Sequence, residues 1–71
     1  MGIRDILRKN LRDYRKGAGL SQEELADAAG LHRTYVSGVE RGVRNPTVEV
    51  LEKIATPLNI PTWKLLDDGK N

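Results

Sequence analysis

One short segment constrains the fold most, because it carries start and stop signals for a helix within ten residues. Ser21 and Glu24 have the spacing of a capping box, in which each side chain binds the backbone amide of the other residue. Gly30 stands where a helix commonly ends in the left-handed conformation. These signals predict a helix over residues 22–29, only about two turns long, followed by a tight turn.

A second short helix is predicted directly after this turn, over residues 33–41, with Gly42 as its stop. Its outward face would carry Arg33, Thr34, Ser37 and Gly38. A solvated face usually carries Glu, Lys or Gln, whereas small and hydroxylated residues suit a helix pressed against another surface. Two helices joined by a glycine turn are the minimum needed to place one helix in a DNA major groove.

The rest of the chain predicts three further helices, at residues 3–16, 48–56 and 62–67, and no strand pattern is visible. Pro57 predicts that the fourth helix ends or kinks near Thr56. The apolar stripe of the first helix would consist of Leu7, Leu11, Tyr14 and Ala18. The expected fold class is all-α, with five helices in one small domain over residues 1–71.

Composition excludes several classes of protein. The chain has no cysteine and a single histidine, so disulfides and a metal site are not expected, and no cofactor is predicted. No nucleophile–base pair or phosphate-cradling glycine loop is visible, so no catalytic residue is predicted and an enzyme is disfavoured. No membrane-spanning run and no signal-peptide core is visible, so a cytoplasmic protein without membrane contact is expected.

The positive charge is concentrated in two regions. Residues 1–16 carry six basic against two acidic residues, and residues 32–45 carry three against one. The net charge of +2 is by itself a weak indication of nucleic-acid binding, and the distribution of the charge is more informative. For the first helix, a merely solvated basic face is an equal alternative.

Several motifs, in order, resemble the Cro/C1 (Xre-type) helix-turn-helix family of transcriptional regulators over nearly the whole length. The matching segments are LRxYRK at 11–16, GLSQEELA at 19–26, AGL at 29–31, VSxVERG at 36–42, NPT at 45–47 and LxxIA at 51–55. Within this family, LHRTYVS at 31–37 is most similar to the controller proteins of restriction–modification systems.

This resemblance implies a compact five-helix, phage-repressor-like domain with its third helix in the major groove. The residues that it assigns to DNA bases are Arg33, Thr34, Tyr35 and Ser37. Those assigned to the DNA backbone are Gln22, His32, Arg44 and Asn45. Arg33 is suited to bidentate contact with guanine. Alternatively, Gln22 is a solvated helix-start residue, Tyr35 is partly core and Ser37 is merely exposed.

Two further roles concern the protein itself. Arg15 and Glu40 resemble a structural ion pair that joins the first helix to the third. One recognition helix reads few base pairs, so a homodimer on a palindromic operator is predicted. The candidate dimer surface consists of Leu58, Ile60, Trp63, Leu65 and Leu66. For Trp63, a place in the core is the alternative, and base stacking is disfavoured.

The predicted function is therefore a sequence-specific regulator of transcription that binds double-stranded operator DNA as a homodimer. RNA polymerase is a further candidate partner, and no small-molecule ligand is expected. The competing hypothesis is a protein-interaction module, such as an antitoxin that also binds a toxin. A stable partner other than DNA would favour that alternative.

Overall fold

The computed structural model describes residues 2–70. The regular secondary structure of these residues is entirely helical, with no strand among them. Four α-helices are followed by two short 3-10 helices. Their bounds are α1 Ile3–Gly17, α2 Gln22–Ala29, α3 Arg33–Glu40, α4 Val48–Ala55, and 3-10 helices at Thr56–Leu58 and Thr62–Leu66. The all-α fold class predicted from the sequence is confirmed.

The core lies where α2 and α3 meet α1, α4 and the second 3-10 helix. Its largest fully buried side chains are Leu11, Leu25, Val36, Val39, Ile54 and Leu65. Each buried side chain of this size contributes about 1.5–3 kcal/mol relative to exposure. Because each α-helix and the second 3-10 helix supply at least one of these side chains, the two short central helices are stabilised by packing rather than by their own length.

The capping box at the start of α2 is present in the structure. The Ser21 hydroxyl accepts a hydrogen bond from the Glu24 amide at 3.0 Å, and the Ser21 amide donates to Glu24 Oε1 at 2.9 Å. Hydrogen bonding from Ser21, chiefly from its backbone amide, lowers the pKa of Glu24. At the other end, Gly30 has φ +71°, and the Leu31 amide donates to the Ala26 carbonyl at 2.8 Å. These bonds define the tight turn into α3.

The buried stripe of α1 differs from the predicted one at its C-terminal end. Leu7 and Leu11 are buried, and Tyr14 is half-buried. Ala18, however, lies beyond the end of α1 and is exposed, so its assignment to the stripe is wrong. Arg15 is buried instead, because its guanidinium forms an ion pair with the buried carboxylate of Glu40.

Pro57 lies in the 3-10 helix that follows α4. The α-helical hydrogen bonding of α4 stops at Ala55, two residues before the proline, which lacks an amide hydrogen. The Thr56 hydroxyl donates to the Glu52 carbonyl at 2.9 Å. Asn59 then adopts a left-handed conformation with φ 58° and ends this 3-10 helix.

The predicted fifth helix is a 3-10 helix rather than an α-helix. It spans Thr62–Leu66, and its amides donate three residues back, as in the bond from Lys64 to the Pro61 carbonyl. Hydrogen bonds from Asn10 of α1 hold this short segment in place. The side-chain amide of Asn10 donates to the carbonyls of Lys64, Leu65 and Asp67 at 3.3, 3.0 and 2.7 Å.

No helix within residues 2–70 is long and apolar enough to span a membrane. Over the same residues, no group of three or more His, Cys, Asp or Glu side chains is placed to hold a metal ion.

Candidate nucleic-acid interface

The C-terminal end of α3 is fixed by a buried ion pair between Arg15 and Glu40. Arg15 Nε donates to Glu40 Oε2 at 2.7 Å, and Arg15 Nη2 donates to Glu40 Oε1 at 3.1 Å. Both residues are less than a tenth exposed. Arg15 Nη1 donates to the Leu20 carbonyl at 2.9 Å, and the bond to Glu40 raises the pKa of Arg15. This is the structural pair that the resemblance implies, and it joins α1 to α3.

Gln22 belongs to the same network. Its side-chain amide donates to Glu40 Oε1 at 3.3 Å, while the residue stays half-buried. Gln22 is therefore not simply a solvated helix-start residue. Its side chain is held at the N-terminus of α2, where backbone amides and the helix dipole favour an anion.

Arg8 adds a second link between α1 and α3. Its Nε donates to the Glu40 backbone carbonyl at 3.3 Å. Its guanidinium lies against Gly42, where a Cβ atom would meet Arg8 Cδ at 2.9 Å. Gly42 also has φ +77°, so glycine is favoured there on two grounds. Sequence reasoning missed Arg8, since nothing local indicates this long-range contact.

The residues assigned to DNA bases lie on the N-terminal half of α3 and differ in exposure. Arg33 and Thr34 are exposed, whereas Tyr35 and Ser37 are half-buried. Tyr35 packs partly against the core, so its predicted alternative role as a core residue is compatible with the structure. Among residues 2–70, no hydrogen bond engages the side chains of Arg33 or Thr34, and both project from a helix whose other face is buried.

Gly38 is not on the outward face of α3, and its assignment to that face is wrong. The residue is buried. A Cβ atom there would lie 2.5 Å from Cγ of Arg44, so the missing side chain makes room for the stem of that arginine. The amides of Val43 and Arg44 both donate to the Gly38 carbonyl, at 2.9 and 3.2 Å.

Arg44 consequently lies beside α3, although it comes from the loop that follows. Its guanidinium carbon is 5.9 Å from the centre of the Tyr35 ring, within the range of a cation–π contact. His32, Thr34, Tyr35 and Arg44 are among the residues that line a shallow groove of about 280 Å³. His32, Arg44 and Asn45 are all exposed.

The candidate dimer residues divide into exposed and buried members. Trp63 is 60 % exposed, Leu66 is 36 % exposed and Ile60 is half-buried. Leu65 is fully buried and Leu58 is 8 % exposed, so both belong to the core of a single chain. Their assignment to the dimer surface is wrong, because they have almost no area left to bury against a partner. Trp63 does not lie in the core, and the Lys64 ammonium sits 5.1 Å from its ring centre.

Comparison with known proteins places this geometry in a family. A family model described as "Helix-turn-helix" (HTH_3) matches residues 11–62, more than half of the chain. Control protein C.SmaI from Serratia marcescens is 50% identical over 66 residues, which cover 93% of this chain and 79% of that protein.

Solved structures agree with this result. The restriction-modification controller protein C.AhdI from Aeromonas hydrophila has a TM-score of 0.84 and 45% identity, covering 87% of this chain and 94% of that one. SinR, the master regulator for biofilm formation, solved in complex with DNA, has a TM-score of 0.82 and 37% identity. That match covers 86% of this chain and 98% of the other.

Proposed function

The chain belongs to the Xre-type helix-turn-helix family of DNA-binding transcriptional regulators, and we propose that it binds a palindromic operator as a homodimer. The observation that carries this proposal is the contrast within α3. Arg33 and Thr34 are exposed at its N-terminal end, while its inward face and its C-terminal end are buried. A rigid helix that presents polar side chains is what direct reading of base edges requires.

Base reading in this proposal falls chiefly to Arg33 and Thr34. The guanidinium of Arg33 can bind guanine O6 and N7 together, and Thr34 can donate a hydrogen bond or pack its methyl group on thymine. Tyr35 and Ser37 are proposed to contribute at the edge of the contact, since each is half-buried in the free protein. The relative solved with DNA, SinR, supports the choice of DNA as the partner.

Backbone contacts are proposed for four residues around α3. Gln22 and the amides at the start of α2 would bind one phosphate, with Gln22 held ready by Glu40. The exposed side chains of His32, Arg44 and Asn45 would bind phosphates on either side. Such contacts position the protein on any sequence and make affinity depend on salt.

Dimerisation is proposed through the C-terminal surface formed by Ile60, Trp63 and Leu66. An exposed tryptophan and a partly exposed leucine within one short helix have the composition of an interface centre rather than of a solvated surface. Two copies of α3 about one helical turn apart would read two half-sites and double the number of base pairs recognised.

The restriction–modification controller class is the specific role that we propose. C.SmaI and C.AhdI are control proteins of this kind and match most of the chain at 45% identity or more. A regulator of this class would act at a promoter, so RNA polymerase is retained as a predicted partner. Because the target is DNA, a cytoplasmic location belongs to the proposal.

Selection of bound sites from random duplex DNA tests this proposal. We expect a two-fold symmetric motif with half-sites about one helical turn apart, bound by two protein chains in sedimentation experiments. Recovery of no preferred sequence, together with a stable complex with another protein, would favour the interaction-module hypothesis instead.

A further inference from the structure

We propose that Gly38 is a positioning residue for DNA binding, because the absence of a side chain at this position leaves the space in which Arg44 lies beside α3. The inference rests on the proposed function and specifies how one contact of that interface is built. Gly38 makes no contact with DNA in this proposal. Its effect passes entirely through the arginine that covers it.

The stem of Arg44 occupies the space that any other residue at position 38 would fill, since a Cβ atom there would lie 2.5 Å from Arg44 Cγ and 3.5 Å from Arg44 Cβ. Even alanine would push the stem away. Glycine is not required by backbone conformation here, because Gly38 is absent from the positive-φ residues and lies in the middle of α3.

Contacts at both ends of Arg44 hold it in one direction. The Arg44 amide donates to the Gly38 carbonyl at 3.2 Å, so the backbone of the loop is tied to the same residue that the side chain crosses. At its far end, the guanidinium carbon lies 5.9 Å from the Tyr35 ring centre. One contact of the Arg44 backbone and two of its side chain reduce the conformational entropy that binding would otherwise cost.

Arg44 shares a shallow groove with His32, Thr34 and Tyr35, all of which are assigned to DNA contact. The arginine is nevertheless exposed, so its donors are available. A guanidinium that is held in place beside these residues fits one DNA phosphate. Glycine at position 38 therefore lowers the helix propensity of α3. It also leaves the space in which the Arg44 cation is preorganised.

The test compares Gly38→Ala, Arg44→Ala and the double variant on the selected operator and on unrelated duplex DNA at several salt concentrations. Arg44→Ala is expected to lower affinity about tenfold on both duplexes, and to reduce the salt slope by about one. Gly38→Ala is expected to reproduce most of both changes. The double variant should bind like Arg44→Ala alone, because alanine at position 38 has nothing left to displace.

Two controls separate folding from function. Gly17→Ala replaces another helical glycine, whose Cβ position meets no atom within 4 Å, and should leave DNA binding unchanged. Alanine favours helix over glycine, so Gly38→Ala should unfold at the same temperature as the wild type or higher. Without DNA, the ring protons of Tyr35 should shift in the same direction in Gly38→Ala as in Arg44→Ala.

The inference would be overturned if Gly38→Ala bound DNA with wild-type affinity and salt slope. It would also be overturned if the effect of Gly38→Ala added in full to that of Arg44→Ala. If wild-type protein selects no DNA sequence, the proposed function fails instead, and the Tyr35 ring shifts still report whether Gly38 positions Arg44. If Arg44→Ala and Gly38→Ala both flatten preference at one base pair, Arg44 contacts a guanine edge rather than a phosphate, and the role of Gly38 stands.

Discussion

The two ends of α3 differ in what holds their side chains. At the C-terminal end, Glu40 accepts hydrogen bonds from Arg15 and Gln22 on its side chain and from Arg8 on its backbone carbonyl. At the N-terminal end, Arg33 is exposed. In the proposed function, contacts within the protein hold the C-terminal end of α3 and the N-terminal end contacts DNA, so stability and recognition depend on different ends of an eight-residue helix.

This contrast predicts that substitutions at the two ends act on different measurements. Changes at Glu40 should alter unfolding, and changes at Arg33 should alter DNA binding alone. A change at Arg33 that altered unfolding as much as DNA binding would remove the distinction.

The largest expected effect is that of Glu40→Ala on stability. Removing the carboxylate leaves the buried Arg15 guanidinium without its partner, which costs about 3–5 kcal/mol. A domain of this size has a total stability of similar magnitude, so thermal unfolding followed by circular dichroism should show a largely unfolded protein. Glu52→Ala removes an exposed carboxylate from α4 and should change the midpoint little. A near-native midpoint for Glu40→Ala would show that the ion pair of Glu40 with Arg15 contributes little to stability.

The next largest effect concerns the C-terminal surface. Trp63→Ala should weaken dimerisation by about 2 kcal/mol, as expected for an aromatic anchor at an interface, with little change in the unfolding of the single chain. Sedimentation equilibrium measures the dimer constant. Val48→Ala removes a side chain that is even more exposed, at 72 %, and serves as the control. Equal dimer constants for wild type and Trp63→Ala would place the interface elsewhere.

A smaller effect is expected at the exposed end of α3. Arg33→Ala should cost about 1–3 kcal/mol of specific operator binding, with an unchanged unfolding midpoint. Fluorescence anisotropy on operator and unrelated duplexes measures this difference. Lys53→Ala, which removes one positive charge from α4, is the charge-matched control. A loss of equal size on both duplexes would make Arg33 a backbone contact.

The smallest effect is a pH dependence at the start of α2. Because the pKa of Glu24 is lowered from its ordinary value of 4.5, its contribution to stability is present above that pH and is lost as pH falls through the lower, folded-state pKa. Glu24→Gln keeps the capping geometry without titrating. The stability of wild type relative to Glu24→Gln should therefore decline below about pH 4.5. Parallel curves through this range would contradict the assignment.

The two halves of the molecule also differ in how far the sequence predicts them. The start and end of α2 depend on Ser21, Glu24 and Gly30, which act on their own neighbours. Their pattern is therefore visible in the sequence. The C-terminal segment depends on Asn10, more than fifty residues away. No local pattern reports that contact, so the 3-10 geometry of Thr62–Leu66 was not predictable.

The candidate interface shows the same division. Helical periodicity places Arg33 and Thr34 outward, and both are exposed. Periodicity also places Gly38 outward, but a loop residue, Arg44, folds back over it. The error arises because periodicity describes a helix alone, whereas burial depends on what packs against it. The same limit explains the assignment of Leu58 and Leu65 to a dimer surface when both complete the core.

A paired selection tests whether the exposed end of α3 reads base pairs. Wild-type protein and Arg33→Ala are each used to select sites from the same pool of random duplex DNA. We expect one two-fold symmetric motif for both proteins, with preference lost at one base pair per half-site in the variant. Identical motifs with undiminished preference at every position would contradict this expectation.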